Sequence, residues 1–168
     1  LYERCPVRIV MENDAKCAAM AEAAVGSLKD VEDGFVLIFG TMIGGAFIKN
    51  HRLHRGRHFA AGEVSYINTG RAEMPTFSNV WGNRCGTSGL CRMYAQKKRL
   101  APESVDGIMV FEGVKRQEAD AMECLQRFTK EIAVQLFNIQ TILDPERFAI
   151  GGGISAQPVF IEYIKNNL

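Results

Sequence analysis

The sequence has almost no net charge and no long apolar run. Its 20 Lys and Arg residues nearly balance 19 Asp and Glu residues, which gives a formal charge of +1 over 168 residues. This balance argues against a basic nucleic-acid-binding surface. The longest uncharged stretch, Gly34 to Ile48, has 15 residues and four glycines, so it is too short and too glycine-rich to span a membrane. We therefore expect this segment to bind neither nucleic acid nor a membrane.

The cysteines are irregularly spaced. Five cysteines, an odd number, stand at positions 5, 17, 85, 91 and 124, which is not the spacing of a disulfide framework. Free thiols in a reducing compartment fit this usage. No signal-peptide pattern opens the sequence, since Glu3 and Arg4 precede its first apolar stretch. We expect a cytoplasmic protein.

Apolar runs alternate with helix-forming stretches, which predicts an α/β or α+β domain. A chain of this length buries about 70% of its unfolded surface, enough for a real core. Expected strands are 7–11, 34–39, 46–48, a segment from 64, and 147–150. Expected helices are 15–26, 87–98, 117–143 and a last one from about 157. The stretch 70–83, with Pro75, is expected to be irregular.

Two common nucleotide-binding fingerprints, GxxxxGK[ST] and GxGxxG, are absent. The sequence has instead two glycine-rich turns directly after apolar runs, GTMIGG at 40–45 and GGGIS at 151–155. Such turns let backbone N–H groups approach an anion, and Thr41 adds a hydroxyl donor. Taken alone, each turn is more simply explained as a tight hairpin or strand–helix turn, with phosphate contact as the alternative.

Acidic residues stand at two places where a ligand could meet them. Glu12-Asn13-Asp14 falls where a strand is expected to stop and a helix to start. A carboxylate there can accept a proton from an attacking hydroxyl, or the group can be an ordinary helix N-cap, which local sequence favours. Glu63, after Gly62, either binds hydroxyls or is a solvated loop charge.

Four segments in a fixed order resemble the ROK family (repressor, open reading frame, kinase). They are ENDAKCAAMAEAAVG, VLIFGTMIGGAFI, the RG…FAAGE segment and FAIGGGISAQP. The resemblance implies an α/β fold of the actin-like ATPase, or ribonuclease H-like, type, in which sugar and ATP meet in a cleft between two lobes. It implies an ATP- and Mg2+-dependent kinase acting on a hexose or β-glucoside, most often at the C6 hydroxyl.

The resemblance also assigns roles to individual residues. Asp14 matches the general base, and Asn13 and Glu63 match residues that hold sugar hydroxyls. Two glycine turns match the phosphate and adenosine sites, through Gly40, Thr41, Gly44, Gly152 and Gly153. One base with backbone cradles and magnesium is sufficient for phosphoryl transfer, which depends mainly on positioning and charge neutralisation.

The chain departs from the family at its beginning and in one turn. The N-terminal lobe with its DxGGT-type loop is absent, so residues 1–168 are expected to form one domain, mainly the C-terminal lobe, without turnover of its own. A second copy of the chain, in a homodimer, is a candidate partner. Met42 stands where the family turn GTGIGG has glycine, which either restricts phosphate approach or is tolerated.

The family's zinc motif is degenerate here. The pattern GExGH followed by CxCGxxGCxE supplies one His and three Cys. Aligned on Cys85, the other three ligand positions hold Tyr66, Asn83 and Leu90, and Cys91 is one residue out of register. A structural zinc site needs four ligands. We therefore predict no bound zinc.

The stretch around the degenerate motif is expected to be structural. GNRCGTSGLC, at 82–91, is interpreted as a metal-free linker, with the pair Thr87-Ser88 capping the next helix. His51, His54 and His58 are alternative metal ligands in principle. Arginines at 52, 55 and 57 crowd the same turn, so a solvated cationic loop is the preferred interpretation.

Three functional classes stay open. The leading hypothesis is the sugar kinase, and within it a β-glucoside kinase, because Tyr66 and Arg92 replace family residues near the anomeric end of the sugar. The second is a sugar-responsive regulator or a degenerate sugar-binding module, which Met42 and the lost zinc ligands favour. The third is an α/β domain whose glycine turns are only structural.

Overall fold

A mixed four-stranded sheet forms the centre of the structure, a computed structural model that describes residues 3–70, 74 and 76–168. Its strands are β1 (Gly34–Phe39), β2 (Ile43–Lys49), β3 (Arg52–His54) and β4 (Arg147–Gly151), in the order β3-β2-β1-β4. β1 runs antiparallel to β2 and parallel to β4. β1 and β2 form the predicted hairpin, so the turn at 40–42 lies at one end of the two central strands.

Helices cover both faces of this sheet. They are α1 (Asp14–Val25), α2 (Trp81–Cys85), α3 (Thr87–Lys98), α4 (Gly107–Lys115), α5 (Ala119–Leu143) and α6 (Pro158–Asn166). Because successive strand residues point to opposite faces, β1 supplies two cores. Val36 packs with Ala19 of α1 in the smaller core. Phe35 and Leu37 belong to the larger core on the other face, which includes residues of α3, α4, α5 and α6.

α5 is the longest helix in the described part of the chain, as its apolar spacing predicts. Leu125, Phe128, Ile132 and Leu136 recur at intervals of three and four residues and are buried. The helix ends at Leu143, and its C-cap Asp144, with a left-handed φ of 47°, stands directly before Pro145. The predicted helices at 87–98 and near the C-terminus are also confirmed. No helix among the described residues is both long and apolar enough to cross a membrane.

Two predicted strands are wrong. Residues 7–11 form no strand, and Val10 and Met11 are 76% and 83% exposed. A strand needs a partner for its backbone groups, and no described strand pairs with this segment. The segment from Val64 is a 3-10 turn, Val64–Tyr66. The reason is local, because Gly62, with φ of 83°, reverses the chain, and Val64 N then bonds the Gly62 carbonyl.

The interpretation of 82–91 as a linker, with Thr87 and Ser88 capping the helix that follows it, is also wrong. Most of this stretch lies in α2 and α3, separated by Gly86 alone. Gly86 is the N-cap of α3 and no side chain caps that helix. A Cβ on Gly86 would lie 2.2 Å from the Thr41 carbonyl oxygen, so the helix junction packs directly on the β1–β2 turn.

Sequence reasoning missed some short elements. The stretch expected to be irregular contains the start of α2 at Trp81, while Pro75 lies outside the described residues. The histidine-bearing turn contains strand β3, and α4 was not predicted. His51, His54 and His58 are exposed, as expected of a solvated loop.

Candidate functional site

Two cavities meet at the β1–β2 turn, and Gly40 and Thr41 line both of them. The first has a volume of about 330 Å³. It brings together most of the residues singled out in the sequence: Asn13, Asp14, Gly40, Thr41, Gly44 and Glu63. The second has about 800 Å³, and Gly153, Arg92 and Asp106 are among its lining residues. Arg92, which was expected beside Tyr66 near the sugar, therefore lines the other cavity. Gly152 lines neither cavity.

The start of α1 places a carboxylate at the first cavity. Asn13 is the N-cap, and its side-chain oxygen accepts a hydrogen bond from Lys16 N at 3.2 Å. Asp14 is the first helical residue, and its Oδ1 accepts from Ala15 N at 2.8 Å. Asn13 therefore caps the helix. Among the described residues, Oδ2 of the exposed Asp14 has no hydrogen-bond partner, so it is available to a ligand.

Glu63 is held by a residue that sequence reasoning missed. Its Oε1 accepts from Lys16 Nζ at 2.9 Å, and the Glu63 side chain is 29% exposed. The same Nζ donates to the Phe59 carbonyl at 2.6 Å. Lys16 shares the buried stripe of α1 with Ala15 and Ala19, and a lysine on such a stripe is the pattern that would have revealed it.

A second ion pair joins the β3–α2 loop to the chain before α1. Arg55 Nε donates to Glu12 Oε2 at 2.8 Å. This hydrogen bond lowers the pKa of the Glu12 carboxyl below its ordinary value. The loop that carries Glu63 thus forms one ion pair with Glu12 and one with Lys16, the residues on either side of Asn13 and Asp14.

The β1–β2 turn places Thr41 at both cavities. Gly40 N donates to the Met42 carbonyl at 2.9 Å, and the Gly40 carbonyl accepts from Thr87 N at 2.8 Å. The Gly40 amide is therefore used within the turn. The methyl group of Met42 approaches α2, 3.0 Å from where a Cβ of Gly82 would lie. A glycine at position 82 leaves room for the side chains of Ser65 and Met42.

The other candidate glycines differ in what surrounds them. A Cβ on Gly44 would lie 2.7 Å from Ala15 Cβ, so glycine is needed there for α1 to pack on β2. Gly152 has φ of 97°, and a Cβ would lie 2.3 Å from the Phe39 carbonyl oxygen. Gly153 faces open space, because a Cβ added there would meet no atom of the described residues within 4 Å beyond its chain neighbours. Of the pair, Gly153 is the one placed to meet a ligand.

At the position of the degenerate zinc motif, the side chains form hydrogen bonds with Glu131. All five cysteines lie in the described part of the chain and are free thiols. Cys85 is buried, its Sγ donates to Glu131 Oε2 at 3.5 Å, and burial raises the pKa of the thiol. Glu131 also accepts from Arg84 at 3.0 Å. Across residues 3–70, 74 and 76–168, no three His, Cys, Asp or Glu side chains form a metal-binding group, and the absence of zinc stays a prediction.

Comparison with known proteins gives a consistent result over the whole chain. The sequence profile of the ROK family matches residues 1–168. The β-glucoside kinase of Listeria monocytogenes serovar 1/2a is 32% identical over 161 residues, which cover 95% of this chain and 55% of that kinase. The chain therefore spans about half the length of the curated relatives it matches.

Solved structures show the same fold. A ROK family protein from Streptococcus pneumoniae TIGR4, in complex with sucrose, is 31% identical with a TM-score of 0.86, over 99% of this chain and 56% of that one. A ROK family glucokinase from Streptomyces griseus, in complex with glucose and AMPPNP, has a TM-score of 0.90 at 21% identity, over 99% of this chain and 59% of that one. At that identity the second likeness concerns the fold alone.

Proposed function

The chain belongs to the ROK family, and on that premise we propose that the protein containing it transfers a phosphoryl group from ATP to a sugar hydroxyl. The predicted α/β, actin-like ATPase fold is confirmed by the solved structures of the family. The observation that carries the proposal is the shared turn, since Gly40 and Thr41 line both cavities. A phosphoryl donor in one cavity and an acceptor in the other would meet there.

We propose Asp14 as the general base. It lines the first cavity, and its Oδ2 is free among the described residues, so it can accept the proton of a sugar hydroxyl. General-base catalysis of this kind contributes on the order of 10²–10⁴ in rate. Asn13 and Glu63 line the same cavity, and we assign them to the other sugar hydroxyls, the carboxylate as an acceptor.

The second cavity is proposed to take ATP. Its volume of about 800 Å³ lies within the usual range for small-molecule sites. Its lining is mostly apolar, with Phe39, Phe111 and Ile154, and includes Asp106 as a polar group. Gly153 on the same wall leaves space for close approach. Magnesium bound with the nucleotide would neutralise charge on the phosphates.

The roles of Gly44 and Gly152 are proposed to be supporting ones. We call the first cavity the sugar cavity and the second the nucleotide cavity, after their proposed ligands. Gly44 lines the sugar cavity while allowing α1 to approach β2. Gly152 allows the turn after β4 to approach the end of β1, which places Gly153 at the nucleotide cavity. That residues 1–168 form the C-terminal lobe of the kinase, that they need the rest of the protein for turnover, and that the protein is cytoplasmic and dimeric all stay predictions.

A β-glucoside is the proposed substrate, phosphorylated at C6. The similarity to a β-glucoside kinase supports this choice. So does the sugar cavity, because Tyr66 lines it and is 68% exposed. An aromatic ring at this place offers a stacking surface for the group attached to the sugar.

An ATP-coupled screen of the full-length protein tests this function. The panel holds free hexoses, N-acetylhexosamines and β-glucosides at equal concentrations. We expect phosphorylation, with the highest kcat/KM for a β-glucoside. A higher kcat/KM for a free hexose would refute the proposal that the substrate is a β-glucoside, and the proposal of kinase activity would stand. Sugar binding without any turnover would favour the alternative, a sugar-responsive regulator or a sugar-binding module, which the altered turn at Met42 also favours.

A further inference from the structure

Lys16 is a buried cation that connects α1 to the loop carrying Glu63. The residue is 3% exposed, and lysines are almost never buried unless they are paired. Its Nζ donates to the Phe59 carbonyl at 2.6 Å and to Glu63 Oε1 at 2.9 Å. Both acceptors belong to the same short loop, so one ammonium group fixes that loop at two points.

The loop backbone has an unfavourable conformation that has to be held by contacts with other residues. Phe59 has φ of 60° and Gly62 has φ of 83°. The left-handed region is unfavourable for a bulky residue such as phenylalanine. The Phe59 side chain is 67% exposed, so burial of its ring does not hold the backbone in place. The hydrogen bond from Lys16 to the Phe59 carbonyl is therefore a direct restraint on this conformation.

Lys16 itself does not line the sugar cavity, whereas Glu63, Asn13 and Asp14 do. Asn13 and Asp14 stand at the start of the helix that contains Lys16. The ion pair thus fixes the distance between the two parts of the site, one on α1 and one on the loop. It occupies Oε1 of Glu63 and leaves Oε2 to accept a ligand hydroxyl.

We propose that Lys16 is a positioning residue for sugar binding, which acts by holding Glu63 and its loop against the start of α1. This inference rests on the proposed function. It implies that sugar affinity depends on Lys16 while nucleotide affinity does not, because neither Lys16 nor Glu63 lines the nucleotide cavity. A lysine that only stabilised the fold would not produce this difference.

Steady-state kinetics of Lys16→Met in the full-length protein test the proposal. We expect the KM for the sugar to rise about tenfold or more, since small misplacements of a positioning group have large effects. The KM for ATP should stay within about twofold of the wild-type value. In a Glu63→Gln background the same substitution should raise the sugar KM by much less, because the two residues act as a unit. An unchanged sugar KM, or equal increases for both substrates, would overturn the proposal.

Two further variants control the experiment. Lys130→Met makes the same substitution at an exposed position of α5 and should leave both KM values unchanged. Lys16→Gln keeps N–H donors without the charge and is used if Lys16→Met does not fold by circular dichroism. It should raise the sugar KM alone, by a smaller factor. A sugar KM for folded Lys16→Gln equal to that of the wild type would also overturn the proposal.

Limited trypsin digestion gives a readout that does not require activity. Arg55 and Arg57 lie in the loop and are exposed. We expect faster cleavage after these residues in Lys16→Met than in Lys130→Met. If the wild-type protein phosphorylates no sugar, the proposed function fails, and cleavage still decides whether Lys16 holds the loop. Equal cleavage rates in the two variants would show that it does not.

Discussion

At the scale of single residues, the glycines around the site meet different physical requirements. Gly44 allows α1 to approach β2, since a Cβ there would lie 2.7 Å from Ala15 Cβ. Gly153 faces the open cavity that we propose for ATP. A side chain added at Gly44 would therefore disturb packing, whereas one added at Gly153 would project into open space.

The substitution Gly44→Ala should destabilise the fold. The added methyl group overlaps Ala15, and forced overpacking of this kind costs about 1–3 kcal/mol. Urea unfolding followed by circular dichroism measures the difference. Ala15→Gly in the same protein should recover part of the loss by removing the overlapping group. Gly153→Ala is the matched control, and its free energy of unfolding should stay close to the wild-type value. Equal stability of Gly44→Ala and Gly153→Ala would contradict this account of Gly44.

Sequence patterns identified site residues only where a short stretch of neighbouring residues carries the pattern. Asn13 and Asp14 follow from the pattern of a helix start, and the structure places Asn13 at the N-cap. The bond between Lys16 and Glu63 joins residues 47 positions apart. A lysine on the buried stripe of α1 indicates that a partner must exist. No local pattern identifies Glu63 as that partner, which only the packing of α1 against the loop reveals.

At the scale of elements, the site depends on helices packed behind the sheet. The T-shaped contact between Phe39 and Phe160, with ring centroids 5.3 Å apart, joins the end of β1 to α6. Phe128 of α5 contacts the same Phe160 ring at 6.1 Å. The strand that leads into the shared turn at Gly40 is thus supported by α5 and α6.

Truncating Phe128 should therefore reduce stability strongly. Its side chain is fully buried, and Phe128→Ala should cost about 3–5 kcal/mol of unfolding free energy by leaving a cavity. Phe137 lies on the same helix and is 69% exposed. Phe137→Ala should change stability by no more than about 0.5 kcal/mol, as is usual for surface positions. Chemical denaturation of both variants checks the contrast, and similar losses would argue against the assigned core.

Elements were predictable where one strong pattern decided them. The apolar spacing of α5 indicated its length and its buried face. The apolar segment 7–11 was wrongly predicted as a strand because apolar character does not supply a pairing partner. α2 has five residues and no side-chain cap, so its sequence carries no start pattern. Trp81 is buried and Gly82 packs closely on Ser65, so tertiary contacts support this short helix.

At the scale of the whole molecule, the central claim is that two cavities sharing one turn carry out phosphoryl transfer. The chain supplies a carboxylate in one cavity and a space of nucleotide size in the other. The family resemblance singled out six residues that line the first cavity, three of them as phosphate-binding and three as sugar-binding or catalytic, and these roles stay predictions. The sequence did not predict the volumes, or that α2 and α3 would meet the turn through Gly86, because these depend on long-range packing.

Asp14→Asn in the full-length protein, measured for both turnover and sugar binding, tests this claim most directly. The amide keeps the size of the side chain and cannot act as the base, so kcat should fall by about 10²–10⁴. The dissociation constant for the sugar, measured by calorimetry, should change by less than about threefold, because Asn13 and Glu63 remain. A kcat equal to that of the wild type would contradict the account.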